Sequence, residues 1–562
     1  MTKRKAILYS LLSGLILAAA WPPEGFPFLL FIAFIPLLYV EHYASGITNT
    51  LKASFIFYSF CLSFFIWNVL TIWWLYNATF AGLIVAILTN TLSMSITFFI
   101  FHSVKKIVLR SGFPKTNYII FLLIPLWISF ELIHHHWDLT FPWLTLGNAF
   151  SKNYKWIQWF EYTGVFGGSL WVLLVNILIF QIALNVNENG VRALLKKSAI
   201  IKLAVTVDIL ILPIIISYII YNNYQEKNNP VNVVVVQPNI DPYNEKFTGS
   251  YGEQLNKMLA LAENKIDPTT DFIVFPETAL TENIWENTIE NSGSILLLKN
   301  FLKKYPQIKI ITGAATAYEY QPGETHTLTT KKFRDAEIYY EDYNTALQID
   351  TNCLQKYHKS KFVPGVEKMP WAWLLKPLEK FALDLGGTTG SLCGQDSRGI
   401  FTSHSMRDTF RIAPVICYES VYGEFVNGYI NNGANIIFII TNDGWWGDTP
   451  GYHQNLLYGR LRAIETRRSI ARSANTGTSC FINQTGDISQ ATDWWQPIAI
   501  KGSVNLNDKN TFYTMYGDYI AWAAAYISFL IIGYVAFVKF KLRNNDPLDD
   551  GTPNESFALK SK

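Results

Sequence analysis

The sequence predicts a membrane α-helical bundle of about eight spans joined to an α/β domain built of sheets with covering helices. Three observations lead there. Apolar stretches of membrane length stand on both sides of one long polar insert. Hydrophobic residues make up 50% of the 562 and charged residues only 16%, against about 25% charged in ordinary soluble domains. Within the insert, short Val/Ile-rich runs alternate with helix-like segments, the pattern of helices layered on sheets.

The predicted spans are 6–21, 25–41, 51–76, 79–102, 117–137, 165–187, 199–222 and 519–540, near the roughly 20 residues that cross a hydrocarbon core. Trp21-Pro22-Pro23-Glu24-Gly25 joins the first two as a tight helical hairpin. Lys3, Arg4 and Lys5 precede the first span as in a signal peptide, but a second span follows at once and no Ala-x-Ala site precedes a soluble domain. The first span therefore reads as retained. Lys105, Lys106, Arg110 and Lys115, then Arg192, Lys196, Lys197 and Lys202, then Lys541 and Arg543, all fall on one side if the spans alternate. The opposite loop, 138–164, has only Lys152 and Lys155. The bias predicts cytoplasmic termini and an insert outside the inner membrane. The expected divisions are a membrane domain over 1–222, an insert domain over 223–518, a last span over 519–540 and a cytoplasmic tail over 541–562.

In the insert, strands are predicted at Val231–Val236, Phe272–Phe275, Ile308–Thr312, Thr345–Ile349, Ile412–Cys417, Ile436–Thr441 and Ile470–Ala474. Several are continuously apolar, as strands buried on both faces are. Tyr251–Asn264 and Gln454–Arg472 read as helices.

Several function classes are set aside on composition. A net charge of +3 without a basic, aromatic-interleaved stripe does not suit nucleic acid. The cysteines, Cys61, Cys353, Cys393, Cys417 and Cys480, form no C-x-x-C pair and no zinc spacing. Cys353 and Cys393 are a pair that an oxidising compartment could join. His134-His135-His136 point about 100° apart on a helix, so they do not converge on one ion. Only Glu131, Lys202 and Asp208 stand out as charges inside the spans, fewer than a transport pathway usually needs.

Three residues carry the chemistry. Glu277 follows the apolar run Asp271-Phe272-Ile273-Val274-Phe275-Pro276, Lys359 lies in Tyr357-His358-Lys359-Ser360-Lys361-Phe362-Val363-Pro364-Gly365, and Cys417 closes Arg411-Ile412-Ala413-Pro414-Val415-Ile416. Each has a plainer reading alone: a helix-start acid, a solvated loop lysine, a buried space-filling thiol. Together they suit covalent acyl transfer. An ammonium lowers the pKa of a neighbouring thiol, a carboxylate shuttles its proton, and the ammonium with a backbone N–H after the cysteine stabilises an oxyanion.

Val274-Phe275-Pro276-Glu277, Tyr357-His358-Lys359 with Phe362-Val363-Pro364, and Ile416-Cys417-Tyr418-Glu419 resemble the three catalytic motifs of the nitrilase superfamily. With the eight spans, the chain resembles the apolipoprotein N-acyltransferase family over nearly its whole length. Ala20-Trp21-Pro22-Pro23, Gly25-Phe26, Phe141-Pro142-Trp143-Leu144, Gln237-Pro238-Asn239-Ile240, Thr441-Asn442-Asp443-Gly444-Trp445-Trp446-Gly447 and Thr511-Phe512-Tyr513 resemble further landmarks of that family. The resemblance implies a nitrilase-like α-β-β-α sandwich in the periplasm of a bacterial cell, on a multi-pass inner-membrane protein. It implies Glu277 as general base, Lys359 as electrostatic stabiliser and Cys417 as nucleophile, with Glu367 supporting Lys359, the Tyr418 N–H in the oxyanion hole, and Glu419 orienting substrate or forming a buried ion pair. The implied activity moves a fatty acyl chain from a membrane phospholipid, through a cysteine thioester, to the α-amino group of a diacylglyceryl-cysteine on an apolipoprotein. No cofactor or metal is implied, and the chain is expected to act as a monomer.

Two motifs depart from the family. Gly365 and Val366 stand in inverted order with an aromatic lost, and Phe247 occupies the place of a customary Trp, losing an indole donor. Phe247, Trp371, Trp373, Trp445 and Trp446, with Leu374 and Leu375, are candidate lipid-contacting residues. Two alternatives share the sequence: a membrane-anchored nitrilase-type amidase acting on a small soluble amide, and a transporter carrying a non-catalytic nitrilase-like module.

Overall fold

The computed structural model describes residues 1–46, 51–110, 118–333, 336–375, 391–405 and 408–545. Lys115 and the tail beyond Asn545 lie outside the described residues. Among these, seven helices are long and apolar enough to cross a membrane: Pro27–Ser45, Ala53–Ile72, Phe80–Leu109, Ile119–His136, Phe160–Asn189, Lys197–Asn223 and Tyr519–Lys541. The first predicted span forms a helix over Lys3–Ala19 of only 17 residues, about 26 Å long and short of the roughly 30 Å core. It is tied to the second by the Ser13 hydroxyl, which donates to the Ala33 carbonyl at 2.6 Å. The bundle interior is polar in places. Glu41 is fully buried and accepts from Lys105 at 2.5 Å and from His102 at 3.2 Å, so the spans hold a charge pair the sequence reading passed over. By contrast, Lys197–Asn223 and Tyr519–Lys541 bury only 11% and 17% of their apolar windows, leaving Ile200, Leu212, Ile219 and Phe529 exposed. Continuous apolar faces of that size are covered by lipid. The protein is membrane-embedded.

The insert forms two stacked sheets. Its strands are β1 (Pro230–Gln237), β2 (Phe272–Val274), β3 (Leu280–Trp285), β4 (Lys309–Glu319), β5 (Lys331–Lys332), β6 (Tyr339–Ile349) and β7 (Leu354–His358), then β8 (Phe401–His404), β9 (Thr409–Ile416), β10 (Ile436–Thr441), β11 (Ile470–Ala474), β12 (Cys480–Ile482), β13 (Ile488–Ser489) and β14 (Ile498–Asn505). One sheet runs β14-β1-β2-β4-β6-β5, with β3 on β4 and β7 on β6; the other runs β13-β12-β11-β10-β9-β8. β1, β2 and β4 are parallel neighbours, as are β9, β10 and β11. Every residue of β10 is buried, which is why these runs read as continuous rather than alternating. The sheets meet where the Phe272 ring packs edge-on against Phe410 and Phe438, with centroids 5.1 and 5.4 Å away. Helices Tyr251–Glu263 and Gly293–Leu302 bury Leu255, Met258, Ile295 and Leu298 against the outer face of the first sheet. Helices Gly423–Asn431 and Pro450–Thr466 cover the second. The insert is an α-β-β-α sandwich.

Some boundaries differ from expectation. The predicted helix Gln454–Arg472 runs instead over Pro450–Thr466 and stops where Arg467 turns left-handed at φ +50°, freeing Ile470–Ala474 for β11. Cys417 lies outside β9. β3, β5, β7, β8, β13 and β14 went unpredicted because polar residues interrupt the apolar signal, and β12 because it is only three residues long. Cys353 and Cys393 are both free thiols rather than a pair.

Helix Pro450–Thr466 also keys the sandwich to the bundle. The Gln454 side-chain oxygen accepts from the indole N–H groups of Trp74 at 3.2 Å and Trp143 at 2.6 Å, and its amide donates to the Pro22 carbonyl at 2.7 Å. The Trp21 indole donates to the Tyr458 hydroxyl at 3.2 Å. Gly451 admits this contact, since a Cβ there would stand 2.5 Å from the Trp74 ring.

Candidate active site

Each of the three chemistry-bearing residues leaves the end of a strand. β2 ends at Val274, and Phe275-Pro276 lead to Glu277. The next residue, Thr278, sits at φ +46°, a region β-branched residues rarely enter. Gly313 on β4 makes room for that turn: a Cβ there would stand 2.3 Å from the Thr278 nitrogen and 2.7 Å from the Glu277 Cα. β7 ends at His358, whose ring stacks on Tyr343 at 3.9 Å and meets Glu286 at 2.7 Å, and the chain then turns Lys359 inward. β9 ends at Ile416, and Cys417 opens a single 3-10 turn over Cys417–Val421 at φ +48°. A strained strand-to-helix turn costs about 1–3 kcal/mol and concentrates at functional sites.

Glu277 and Lys359 form a buried pair at 2.9 Å. The other Lys359 partner is Glu367, at 2.7 Å. The Asn344 amide donates to Glu277 at 2.8 Å and lies 3.4 Å from Glu367, and the Asn442 backbone N–H donates to the second Glu277 oxygen at 3.1 Å. Glu367 reaches Lys359 despite the inverted Gly365-Val366 order, because the Val363 N–H holds its other oxygen at 2.9 Å. Burial alone would raise the Glu277 carboxyl, but the ammonium groups of Lys359 and Lys246 and the Asn344 bond hold it below the usual range. Burial works against the Lys359 charge, and Glu277, Glu367 and Cys417 overcome it, keeping the ammonium well above its ordinary pKa.

Cys417 is 8% exposed. Burial first, and the Glu277 carboxylate second, push its thiol above the ordinary range, outweighing Lys359 and a bond from Thr441. This differs from the lowered thiol pKa expected beside a lysine: desolvation wins, and at neutral pH the thiol keeps its proton. The Thr441 hydroxyl has one proton to give and also stands 3.0 Å from Asp443, which buried Arg472 clamps at 2.9 Å.

The neighbouring motif residues are structural in their contacts. Glu419, fully buried, accepts from the Tyr357 hydroxyl and the Ser360 N–H at 2.7 Å each, from the Ile416 N–H at 2.9 Å and from the Tyr429 hydroxyl at 3.2 Å. The expected buried ion pair is not formed among the described residues; these bonds instead pin the lysine loop to the cysteine turn. The Tyr418 hydroxyl donates to the Thr140 carbonyl at 2.9 Å, joining the site to the membrane domain. Its N–H lies in the first turn of the 3-10 segment, where helical partners are lacking.

The aromatic candidates divide. Trp373 and Leu374 are 73% and 59% exposed and Phe247 is 39% exposed. The Trp371 N–H is held by Asp138 at 2.7 Å, and nothing is described of the Leu375 side chain. Trp445 and Trp446 are half-buried rather than exposed: Trp446 packs on Trp74 and Trp143 with centroids 5.2 and 6.0 Å away, and Trp445 on Tyr243 at 5.1 Å. His134, His135 and His136 face different neighbours, with His135 on Thr145 and His136 on the Leu132 carbonyl. No group of three or more His, Cys, Asp or Glu side chains among the described residues is arranged to hold a metal.

Sequence reasoning missed Lys246, Asn344 and Gln454. Lys246 had one available signal, its position immediately before Phe247; Asn344 had only its place at the head of an apolar run.

Residues 13–178 match the family model described as the apolipoprotein N-acyltransferase N-terminal domain, and residues 232–509 match that of carbon-nitrogen hydrolases. A protein named apolipoprotein N-acyltransferase from Chlorobaculum tepidum is 27% identical over 92% of this chain and 94% of its own. Another of that name, from Geobacter metallireducens, is 25% identical over 92% and 93%. The solved structure of Saccharomyces cerevisiae Nit3, a nitrilase-superfamily member, aligns with TM-score 0.36 and 15% identity over 51% of this chain and 93% of that one.

Proposed function

The chain belongs to the apolipoprotein N-acyltransferase family, and from that footing we infer that it moves a fatty acyl chain from a membrane phospholipid to the α-amino group of a diacylglyceryl-cysteine on an apolipoprotein. The observation that carries the reading is the Cys417 turn set against the buried Glu277–Lys359 pair, in a sandwich keyed to a bundle of membrane-length helices.

The reaction runs in two halves. Cys417 Sγ attacks the ester carbonyl carbon while Glu277 takes the thiol proton, which the high thiol pKa requires to happen during attack. The Lys359 ammonium and the Tyr418 N–H face the oxyanion. The ester C–O bond breaks, Glu277 returns the proton to the departing lysophospholipid, and a thioester remains. The acceptor amine then attacks the thioester carbon, Glu277 takes one amine proton, the C–S bond breaks, and the proton goes back to sulfur. Glu367 and Asn344 keep Lys359 and Glu277 in register. The small exposure of Cys417 limits bulk water at the thioester, and the acceptor amine, being the stronger nucleophile, is assigned the second attack. Exposed Trp373 and Leu374, with Phe247, are assigned to the acyl chain. The catalytic domain is assigned to the periplasm and both termini to the cytoplasm of a bacterial inner-membrane protein, on the lysine and arginine bias of the connections and with helix Lys3–Ala19 counted as an eighth crossing beside the seven longer ones; the chain is assigned to act as a monomer.

Intact-protein mass after incubation with phospholipid tests the reading. A gain of one fatty acyl group, removed by hydroxylamine, lost in Cys417→Ala and passed to a diacylated peptide, is the expected result. A wild-type protein that gains no acyl mass, or a Cys417→Ala protein that still acylates peptide, would overturn it. An amidase would hydrolyse a small soluble amide without acylating the peptide, and a transporter would tolerate the substitution.

A further inference from the structure

Lys246 lies on the loop between β1 and helix Tyr251–Glu263 and is 3% exposed, with no part in the three sequence motifs. Burying a lysine is costly, and the charge is kept only where partners repay it. The loop is folded to aim it inward: the Lys246 N–H donates to the Asp241 carbonyl at 2.9 Å, and the Gln254 amide holds the carbonyls of Glu245 and Lys246 at 3.0 and 3.2 Å. The ammonium then donates to the Glu277 carbonyl at 3.1 Å and to the Thr278 hydroxyl. The Asn442 side-chain oxygen, turned toward it, stands 3.2 Å away.

These contacts fall on the one backbone segment that decides where the Glu277 carboxylate points. Thr278 is a β-branched residue at φ +46°, a conformation that persists only when its surroundings over-determine it. Gly313 gives the turn space from one side, and Lys246 bonds it from the other. Resting on the acyl-transfer reading above, we propose that Lys246 is a positioning residue of that reaction: its ammonium locks the Glu277–Thr278 turn and so keeps the base aimed at Lys359 and the Asn442 N–H, beside Cys417.

The charge matters as well as the bonds. Glu277 faces the ammonium and favours it, as Cys417 does once its sulfur ionises, while Lys359 opposes it, and burial outweighs them all, bringing Lys246 down to about 8. As pH rises through that region the amine loses its proton, Glu277 loses one of two neighbouring cations, and sulfur ionisation during attack loses support. The acylation rate therefore falls.

Single-turnover thioester formation by the full-length protein in phospholipid–detergent micelles, followed by intact mass between about pH 6.5 and 9.5, tests this. The wild type is expected to lose rate as pH rises through about 8. Lys246→Arg is expected to stay within about threefold at pH 7 with the fall displaced upward, since a guanidinium keeps its proton. Lys246→Met is expected to lose about a hundredfold in kcat at little change in the phospholipid KM, the effect of a misaimed group rather than of lost binding. A Met variant within threefold of wild type, an Arg variant as slow as the Met variant, or an unmoved fall in Lys246→Arg would overturn the proposal. The last comparison stands even where Lys246→Met does not fold. A wild-type protein that makes no thioester at any pH would overturn the acyl-transfer reading itself.

Discussion

At the residue scale, the site opposes two tendencies. Burial penalises every charge in it, yet Glu277 and Lys359 remain ionised because each supplies what the other lacks, with Glu367 and Asn344 completing the set. Cys417 has no such partner of its own and stays protonated. The thiol therefore depends on the carboxylate to move its proton. Glu277→Gln keeps the shape and the Asn344 and Lys359 neighbours but has no basic oxygen, so thioester formation should slow by about 10²–10⁴-fold with the fold intact, as read by the rate of acyl mass gain. Glu419 teaches a different lesson. A carboxylate two residues after a nucleophile invites a substrate role, but with five donors around it, all hydroxyl or backbone N–H, it serves to hold two strand ends together.

At the scale of elements, strand ends matter more than strands. β2 and β9, each with a parallel neighbour, deliver Glu277 and Cys417 from their C-terminal ends, and β7, antiparallel to β6, delivers Lys359 from its own; in open α/β sheets ligands lie outside the carboxyl ends of the strands. The runs that form β1, β2, β10 and the end of β9 were legible as continuous apolar segments. β3 and β7 were not, since consecutive polar residues break Leu280–Trp285 and Leu354–His358 into neither a continuous apolar run nor an alternation, and they owe their strand state to pairing with β4 and β6. The close passage of β4 behind the Glu277 turn is equally a matter of pairing. Gly313→Ala should push the Glu277–Thr278 backbone away from β4 and cost about a hundredfold in acylation while circular dichroism remains that of the wild type. A substitution there that left the rate unchanged would show that the turn does not need the space.

At the scale of the whole molecule, bundle and sandwich share one interface, and the family landmarks lie along it. Trp21, Pro22, Trp143 and Trp446 come from three distant segments and converge on helix Pro450–Thr466 through Gln454, Tyr458 and Trp74. The orientation argued from lysine and arginine bias has a direct test, because Cys353 is an exposed, free thiol on the insert. A membrane-impermeant maleimide should label it in intact spheroplasts without permeabilisation, and Cys353→Ser should abolish most of that signal; labelling only after lysis would reverse the topology. The sequence by itself pointed to the class of molecule, to seven helices of membrane length among the eight expected, and to Glu277, Lys359 and Cys417 as residues to be brought together, because hydropathy and strand-end motifs are local properties that folding preserves. Only the tertiary structure decided that the thiol is protonated, that Glu419 is a clamp, that Trp446 is half-buried, and that Lys246, Asn344 and Gln454 belong with the site and its interface. Those facts depend on which distant groups share a dry space, and desolvation and hydrogen-bond pairing exist only once the chain has brought them together.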